Sequence, residues 1–125
     1  MIKISFFEKI LKLKGFDIDS SFEQLKHLQS LTNDEFLKWQ VTKRWEVAKF
    51  HFDNNPFYKK KIGKSFPKKW TELPIIEKSD LQGDLKSKIS EIYNLNNLYI
   101  SNTSGSSGHP FYFVKNKDAH AMHWA

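Results

Sequence analysis

The chain has 125 residues, the usual size of one domain, and its 39% of apolar residues are enough to build a core, which argues against wholesale disorder. Because it contains no Cys, disulfides, thiolate metal sites and a Cys nucleophile are excluded within it. The net charge is +6, but Arg44 is the only Arg among 20 basic residues, and a Lys-rich balance is more typical of a solvated surface than of nucleic-acid recognition.

The first predicted element is a short amphipathic helix over residues 4–14, with Phe6, Phe7, Ile10 and Leu11 on one side. Such a helix could lie on a membrane, but its shortness favours packing on its own domain. Charged residues interrupt this opening stretch, so it lacks the apolar run of a signal peptide, and no later segment approaches a membrane span. The sequence therefore predicts a soluble, cytoplasmic protein.

Two further helices are predicted from capping signals. Ser20 and Glu23 have capping-box spacing, so a helix is expected to begin at Ser20. Thr32 and Glu35 repeat the signature before the clearest helix of the chain, which Asn54, Asn55 and Pro56 are expected to end. Its apolar residues recur in steps of three or four and are predicted to share one buried face: Leu37, Val41, Trp45, Ala48 and Phe52.

The second half of the chain predicts shorter elements. A short helical turn followed by irregular chain is expected after Pro56, and another helix over residues 75–89, loosened by Gly83. Residues 98–101 and 111–114 each have the composition of a short strand. A helix should follow them, with Asn116 or Asp118 as its cap.

The loop between the two predicted strands has an unusual composition. All six residues from Thr103 to Gly108 are Ser, Thr or Gly. Glycines leave their N–H groups open to a ligand, and successive N–H groups with hydroxyls can form a concave anion site. The loop is not a Walker A loop, because His109 and Pro110 stand where that motif has Lys and Ser or Thr. A plain Ser/Gly turn remains the alternative on composition alone.

The order of the loop residues resembles the phosphate-binding signature of adenylate-forming enzymes, T-S-G-[ST]-[ST]-G-x-P, at every position from Thr103 to Pro110. The flanks look most like the phenylacetate–CoA ligase group and its CapK-like capsular-polysaccharide relatives. Those proteins likewise carry an "NPFY" segment and then an "LPIIEKSDL"-like segment before the loop, here 55–58 and 73–81. Many superfamily members have Lys-Gly after the Pro, whereas Phe111 and Tyr112 stand here, and Lys115 is a possible substitute cation.

The resemblance implies an α/β fold, in which a mostly helical portion over 1–90 leads into a strand, phosphate loop and strand over 98–114 and a helix start over 116–125. It also implies an enzyme that joins a carboxylic acid to the α-phosphate of ATP, with release of pyrophosphate, and passes the acyl group to a thiol, usually coenzyme A. The β- and γ-phosphates would be held by Thr103, Ser104, Gly105, Ser106, Ser107 and Gly108, with Mg²⁺ alongside. Similarity to the CapK-like branch suggests a capsule or cell-surface polysaccharide pathway.

The family's later motifs, including a Y-G-x-T-E-like run and a late Lys, have no counterpart in these 125 residues. The chain is therefore expected to be the N-terminal piece of such an enzyme, to hold no catalytic residue and no metal ligand, and to be inactive without the C-terminal remainder. Its expected partner is a small carboxylic acid, with no nucleic acid and no membrane span.

Four other interpretations are weaker. His109, His120 and His123 could suggest a metal, but no carboxylates complete a set, so tolerated loop or helix positions, or positions facing a substrate pocket, are preferred. The Lys- and aromatic-rich segment 57–70 could bind nucleic acid, or it could be a solvated surface with aromatic anchors beneath it. A Ser nucleophile is disfavoured because Ser104–Gly108 lacks the G-x-S-x-G spacing. A catalytically inert interaction domain is the last alternative.

Overall fold

The computed structural model describes residues 6–103 and 110–125. Its α-helices are α1 (Phe6–Leu13), α2 (Ile18–Ser30), α3 (Asn33–Asn54), α4 (Pro56–Ile62), α5 (Lys78–Leu81) and α6 (Lys117–Trp124). Its strands are β1 (Tyr99–Asn102) and β2 (Tyr112–Lys115), and 3₁₀ turns occur at Trp70–Glu72, Leu85–Lys88 and Leu95–Asn97. Among the described residues, no helix is both long and apolar enough to cross a membrane.

Helix α1 ends at a glycine, and the turn after it places side chains in the core. Gly15 has a φ of 77°, which favours glycine, and its N–H donates to the Lys12 carbonyl at 2.9 Å. The Phe16 N–H donates back to the Leu11 carbonyl at 3.1 Å, so the two bonds form a Schellman motif. As a consequence Leu11 and Phe16 are both buried in one cluster with Ile18 and Ala121.

Helix α2 begins earlier than the capping-box spacing predicted. Its cap is Asp17, whose carboxylate accepts a hydrogen bond of 3.0 Å from the Ser20 N–H. Ser20 therefore lies inside the first turn, and the predicted start at Ser20 is wrong. The physical reason is that the Asp17 carboxylate caps the unpaired N–H groups of the first helical turn. The earlier start also lets Ile18 join the core.

Helix α3 confirms both predicted ends, but only half of its predicted face is buried. Thr32 and Glu35 form the complete capping box, and Asn55 closes the helix. Ala48 and Phe52 are buried in the C-terminal half of the helix. In contrast, Leu37 and Val41, in the N-terminal half of this face, keep 49% and 43% of their surface exposed.

The single helix predicted over residues 75–89 is wrong. The chain forms only α5 and, after a break, the 3₁₀ turn Leu85–Lys88. Gly83 separates them with a φ of 97°, a left-handed conformation that an α-helix cannot contain. Asp84 then caps the 3₁₀ turn by accepting from the Lys86 N–H at 3.1 Å.

The two predicted strands pair as an antiparallel hairpin. Tyr99 lies opposite Lys115, and Asn102 lies opposite Tyr112. Helix α6 follows directly, capped by the Asn116 side chain, which accepts from the Ala119 N–H at 2.8 Å. Helices thus dominate the described chain and one small antiparallel sheet accompanies them, which agrees with a mixed α and β class at that coarse level.

Candidate functional site

The neck of the hairpin holds the two ends of the candidate phosphate loop together. The Thr103 N–H donates to the Phe111 carbonyl at 3.0 Å, and the Phe111 N–H donates to the Thr103 hydroxyl at 3.1 Å. The first of these bonds continues the strand ladder by one pair beyond Asn102 and Tyr112. Of the residues predicted to bind phosphate, Thr103 is described, while Ser104, Gly105, Ser106, Ser107 and Gly108 lie outside the described residues, as does His109.

With respect to the described residues, the Thr103 hydroxyl keeps its proton for a further hydrogen bond. A hydroxyl has one donor and two acceptor positions, and the bond from Phe111 uses only an acceptor position. Thr103 is exposed, so its O–H can donate outward from the neck. Its backbone is at the same time fixed by the ladder, which gives the first residue of the loop a defined orientation.

Lys115, the candidate substitute for the missing phosphate cation, lies on the hairpin stem. It pairs with Tyr99, at the end of the ladder opposite the loop. Its ammonium leans back along the strand and lies 5.7 Å from the centre of the Phe113 ring. The charge is therefore held two residues below Phe111 and not at the neck itself.

The base of the hairpin is anchored by aromatic stacking. The Tyr99 ring stacks on His120 of α6 with ring centres 4.4 Å apart and planes 6° apart. Phe16 contacts both rings, at 5.3 Å from Tyr99 and 5.2 Å from His120. The His120 Nε2 also accepts a bond of 3.1 Å from the Trp124 indole N–H. The loop is thus carried by a hairpin whose base is packed onto the α1–α2 corner and α6.

Helix α4, which begins within the 55–58 segment, contacts the 73–81 segment through an ion pair. The Asn55 side chain accepts from the Tyr58 N–H at 3.1 Å, capping α4, and donates to the Lys88 carbonyl at 2.9 Å. Lys61 of α4 forms an ion pair with Asp80 of α5. The hydrogen bond from Lys61 lowers the pKa of the Asp80 carboxyl below its ordinary value, and the bond from the Glu77 N–H lowers it further. The helix that begins within 55–58 is therefore tied to the segment 73–81 through Lys61.

Comparison of the chain with protein-family models, with curated proteins and with solved structures returned no match. The assignment of the loop consequently depends on the order of its residues and on the hairpin that carries it. Both are observed in the sequence and structure of this chain itself.

A cavity of about 510 Å³ lies between α3, the 3₁₀ turn Leu85–Lys88, β2 and the start of α6. Its apolar wall is formed by Val47, Phe50, Ile89, Leu98, Val114 and Ala119. Sequence reasoning missed this cavity, since its lining comes from four separate stretches, 46–55, 88–93, 98 and 114–119, and no local pattern links them. A hint was available in His51, which lies on the buried half of the clearest helix.

His51 is the perturbed titratable group of that cavity. It is half-buried between the rings of Phe50 and Tyr58, and its Nδ1 lies 3.5 Å from the hydroxyl of the buried Ser90. Burial lowers the pKa of His51, because desolvation disfavours the imidazolium. At neutral pH the ring is therefore uncharged and can act as a hydrogen-bonding group.

The remaining histidines do not assemble a metal site in the described part of the chain. His120 packs between Tyr99 and Trp124, and His123 is exposed with its ring edge against Trp124. Within residues 6–103 and 110–125, no group of three His, Asp or Glu side chains is arranged to hold a metal ion.

The Lys- and aromatic-rich segment presents its rings to α3. Phe66 lies against Phe52 and Trp45, at 5.4 and 5.7 Å between ring centres. Trp70 meets Trp45 edge-on at 5.3 Å and carries the Arg44 guanidinium 4.8 Å from its centre. Because these rings are used in packing, the arrangement matches a solvated surface with aromatic anchors better than a row of free base-stacking platforms.

Proposed function

We propose that the loop Thr103–Gly108 binds the β- and γ-phosphates of ATP, and that the chain is the N-terminal part of an AMP-forming, carboxylate-activating ligase. The observation that carries the proposal is the order T-S-G-S-S-G-x-P between two strands that pair at its neck. Composition alone would also fit a simple turn. The order of residues, together with the "NPFY" and "LPIIEKSDL" segments upstream, favours the phosphate loop.

The donor set of the loop fits a polyphosphate. It offers hydroxyl and amide N–H groups and contains no carboxylate that would repel phosphate oxygens. The loop's role is to position the phosphates and to stabilise their charge during transfer of the α-phosphate to a carboxylate. As in the family that the loop resembles, Mg²⁺ is expected alongside the phosphates.

The binding test uses the 125-residue chain and titrates it with MgATP, pyrophosphate and AMP by calorimetry. We expect ATP and pyrophosphate to bind and AMP to bind much more weakly, because the loop is proposed to bind the β- and γ-phosphates and AMP has neither. Ser104→Ala and Gly105→Val should each weaken ATP binding, and Ser65→Ala, an exposed serine far from the loop in sequence, serves as the matched control. Equal binding of ATP and AMP would contradict the proposal.

The activity test uses the complete product of the gene. Carboxylate-dependent exchange between ATP and pyrophosphate should be detectable and should fall about a hundredfold or more in Ser104→Ala, the scale seen when one charge-stabilising donor is removed. Unchanged exchange in that variant would contradict a role of the loop in the reaction. A lack of exchange with any carboxylate would contradict the proposed ligase activity. Salt-dependent binding of single-stranded DNA instead would favour the nucleic-acid alternative.

A further inference from the structure

We propose that the outer side of α1 binds the surface of an anionic lipid bilayer, with the helix lying in the plane of the headgroups. This side is formed by Phe6, Ile10 and Leu13, which we call the α1 stripe. The inference is independent of the ATP proposal, because the stripe and the loop share no residue. It concerns surface binding, since the eight residues of α1 make about 12 Å of helix and a bilayer core is about 30 Å thick.

The fold uses only one side of the apolar arc of α1. Leu11 is buried in the core, and Phe7 packs edge-on against Trp124 of α6, at 5.1 Å between ring centres. At the two ends of the α1 stripe, in contrast, Phe6 and Leu13 are 81% and 88% exposed. The core therefore does not account for the whole apolar side of this helix.

The residues of the α1 stripe form a continuous apolar line. They are spaced as i, i+4 and i+7, so they lie within about 60° of one another around the helix axis, along about 10 Å of its length. Ile10, in the middle, is half-buried. An amphipathic helix buries a line of this kind at the boundary between lipid headgroups and acyl chains, about 5–10 Å deep.

Lysines border the α1 stripe, and the carboxylate of the helix lies on another side. Lys9 is about 40° around the axis from Leu13, and Lys14 follows Leu13 directly; both lysines are exposed. Glu8 lies about 140° from Leu13 and lines the groove between α1, α2 and α6. Apolar side chains bordered by lysines complement a surface that is apolar inside and anionic outside.

The nearby aspartates of the α2 region leave these two lysines available. Asp19 pairs with Lys12 at 2.6 Å, and the Asp17 carboxylate caps α2 by accepting from the Ser20 N–H at 3.0 Å. Among the described residues, neither the Lys9 nor the Lys14 ammonium has a carboxylate within 4.0 Å. Their charge can therefore act on lipid phosphates.

A second copy of the chain is a poorer match for the α1 stripe than a bilayer. A two-fold contact centred on the stripe would bring the Lys9 ammonium groups of both copies close together, because Lys9 lies at the middle of the helix. Like charges in an interface repel each other, whereas anionic headgroups attract both lysines. The charge pattern thus favours the lipid surface.

The test measures co-flotation of the 125-residue chain with vesicles of phosphatidylcholine alone and of phosphatidylcholine mixed with phosphatidylglycerol. We expect at least about tenfold stronger binding to the anionic vesicles, since each lysine near such a surface contributes about fivefold. Binding should fall towards that of the neutral vesicles in about 1 M NaCl, where the Debye length is about 3 Å. Ser104→Ala should bind vesicles like the parent, which separates this result from the ATP proposal.

Paired variants assign the binding to the α1 stripe. The double variant Phe6→Ser with Leu13→Ser should bind at least about tenfold more weakly with an unchanged circular dichroism spectrum, because both side chains are exposed. Ile75→Ser, at an 87% exposed apolar position outside α1, is its control. Lys9→Gln and Lys14→Gln should each weaken binding about fivefold, and Lys60→Gln on α4 is their control.

Three results would overturn the proposal. The first is equal binding to neutral and anionic vesicles, and the second is a double variant that binds like the parent. The third is a parent chain that sediments as a dimer, without binding vesicles, and becomes a monomer in the double variant, which would assign the α1 stripe to a second copy.

Discussion

Asn55 connects three parts of the chain through one buried side chain. Its backbone closes α3, its side-chain oxygen caps α4, and its side-chain NH₂ reaches the Lys88 carbonyl. An amide is well suited here, because the position needs one acceptor and one donor within a residue that is only 5% exposed.

Replacing Asn55 should therefore lower the free energy of unfolding more than replacing Asn54. Asn55→Ala leaves the Tyr58 N–H and the Lys88 carbonyl without their partner, and we expect a loss of about 2–3 kcal/mol in the free energy of unfolding, from one lost cap and one unsatisfied buried group. Asn54→Ala is the matched control, since the Asn54 side chain only bonds the Phe50 carbonyl one turn back, and it should cost under about 1 kcal/mol. Urea denaturation measures both, and equal losses would deny Asn55 its connecting role.

Two histidines predict a loss of stability in mild acid. The pKa of His51 is lowered by burial, and that of His120 by burial and then by the nearby charges of Lys115 and His123. Below the unfolded value of about 6.5 the unfolded chain binds protons that these folded rings resist, so the free energy of unfolding falls as the pH drops from 6.5 through the folded pKa values.

This pH dependence can be assigned by substitution. Urea denaturation between pH 7.5 and 5.0 should give a curve that declines below pH 6.5 and flattens in His51→Gln and His120→Gln. The window excludes the carboxyls of Glu35 and Asp80, whose pKa values are lowered by hydrogen bonds and which titrate in stronger acid. A curve that keeps its full slope in both variants would show that the two rings are not responsible.

At the scale of elements, the start of α2 offers a direct test of which residue caps it. Asp17→Ala removes the acceptor for the Ser20 N–H and should cost about 1 kcal/mol, whereas Ser20→Ala keeps that N–H and should cost little. Thermal or urea denaturation of the two single variants is sufficient. A larger loss of stability in Ser20→Ala than in Asp17→Ala would show that α2 begins at Ser20, as the capping-box spacing predicts.

The elements that the sequence predicts well are those with local signals. Thr32 with Glu35, Asn116 before α6 and the two short apolar runs of the hairpin each carry their signal within a few residues, and all are found where expected. The start of α2 was missed because Asp17 and Ser20 are competing caps, and their choice depends on Ile18 reaching a distant core. The exposed stretch from Leu37 to Val41 shows that helical periodicity predicts an apolar face but not what covers it.

The same distinction applies to the candidate sites. The proposed phosphate loop is a contiguous motif, so the sequence alone is enough to propose its residues, and the structure adds the paired neck at Thr103 and Phe111. The cavity is built from side chains more than 70 residues apart, such as Val47 and Ala119, and no pattern within the sequence brings them together. It forms only where α3, the 3₁₀ turn Leu85–Lys88, β2 and α6 meet.

At the scale of the whole molecule, the buried core is small and much apolar surface remains outside it. In the described part of the chain the buried apolar residues are Leu11, Phe16, Ile18, Ala48, Phe52 and Ala121. Large apolar side chains such as Phe6, Leu13 and Ile75 are more than 80% exposed. Since stability derives mainly from buried apolar surface, we expect this 125-residue chain to be marginally stable in isolation.

Phe16 is the residue on which this small core depends most, because it joins the α1–α2 corner to β1 through Tyr99 and to α6 through His120. Phe16→Ala should cost about 3–5 kcal/mol, the usual loss for a buried phenylalanine, which is comparable with the whole stability of a marginal domain. We therefore expect this variant to be largely unfolded by circular dichroism at 25 °C and to lose the hairpin with it. Phe6→Ala removes the same ring from a site that is 81% exposed and should change stability by less than about 0.5 kcal/mol. If Phe16→Ala retains a cooperative urea transition near that of the parent, the stability of the chain resides elsewhere, in α3 and the aromatic residues packed against it.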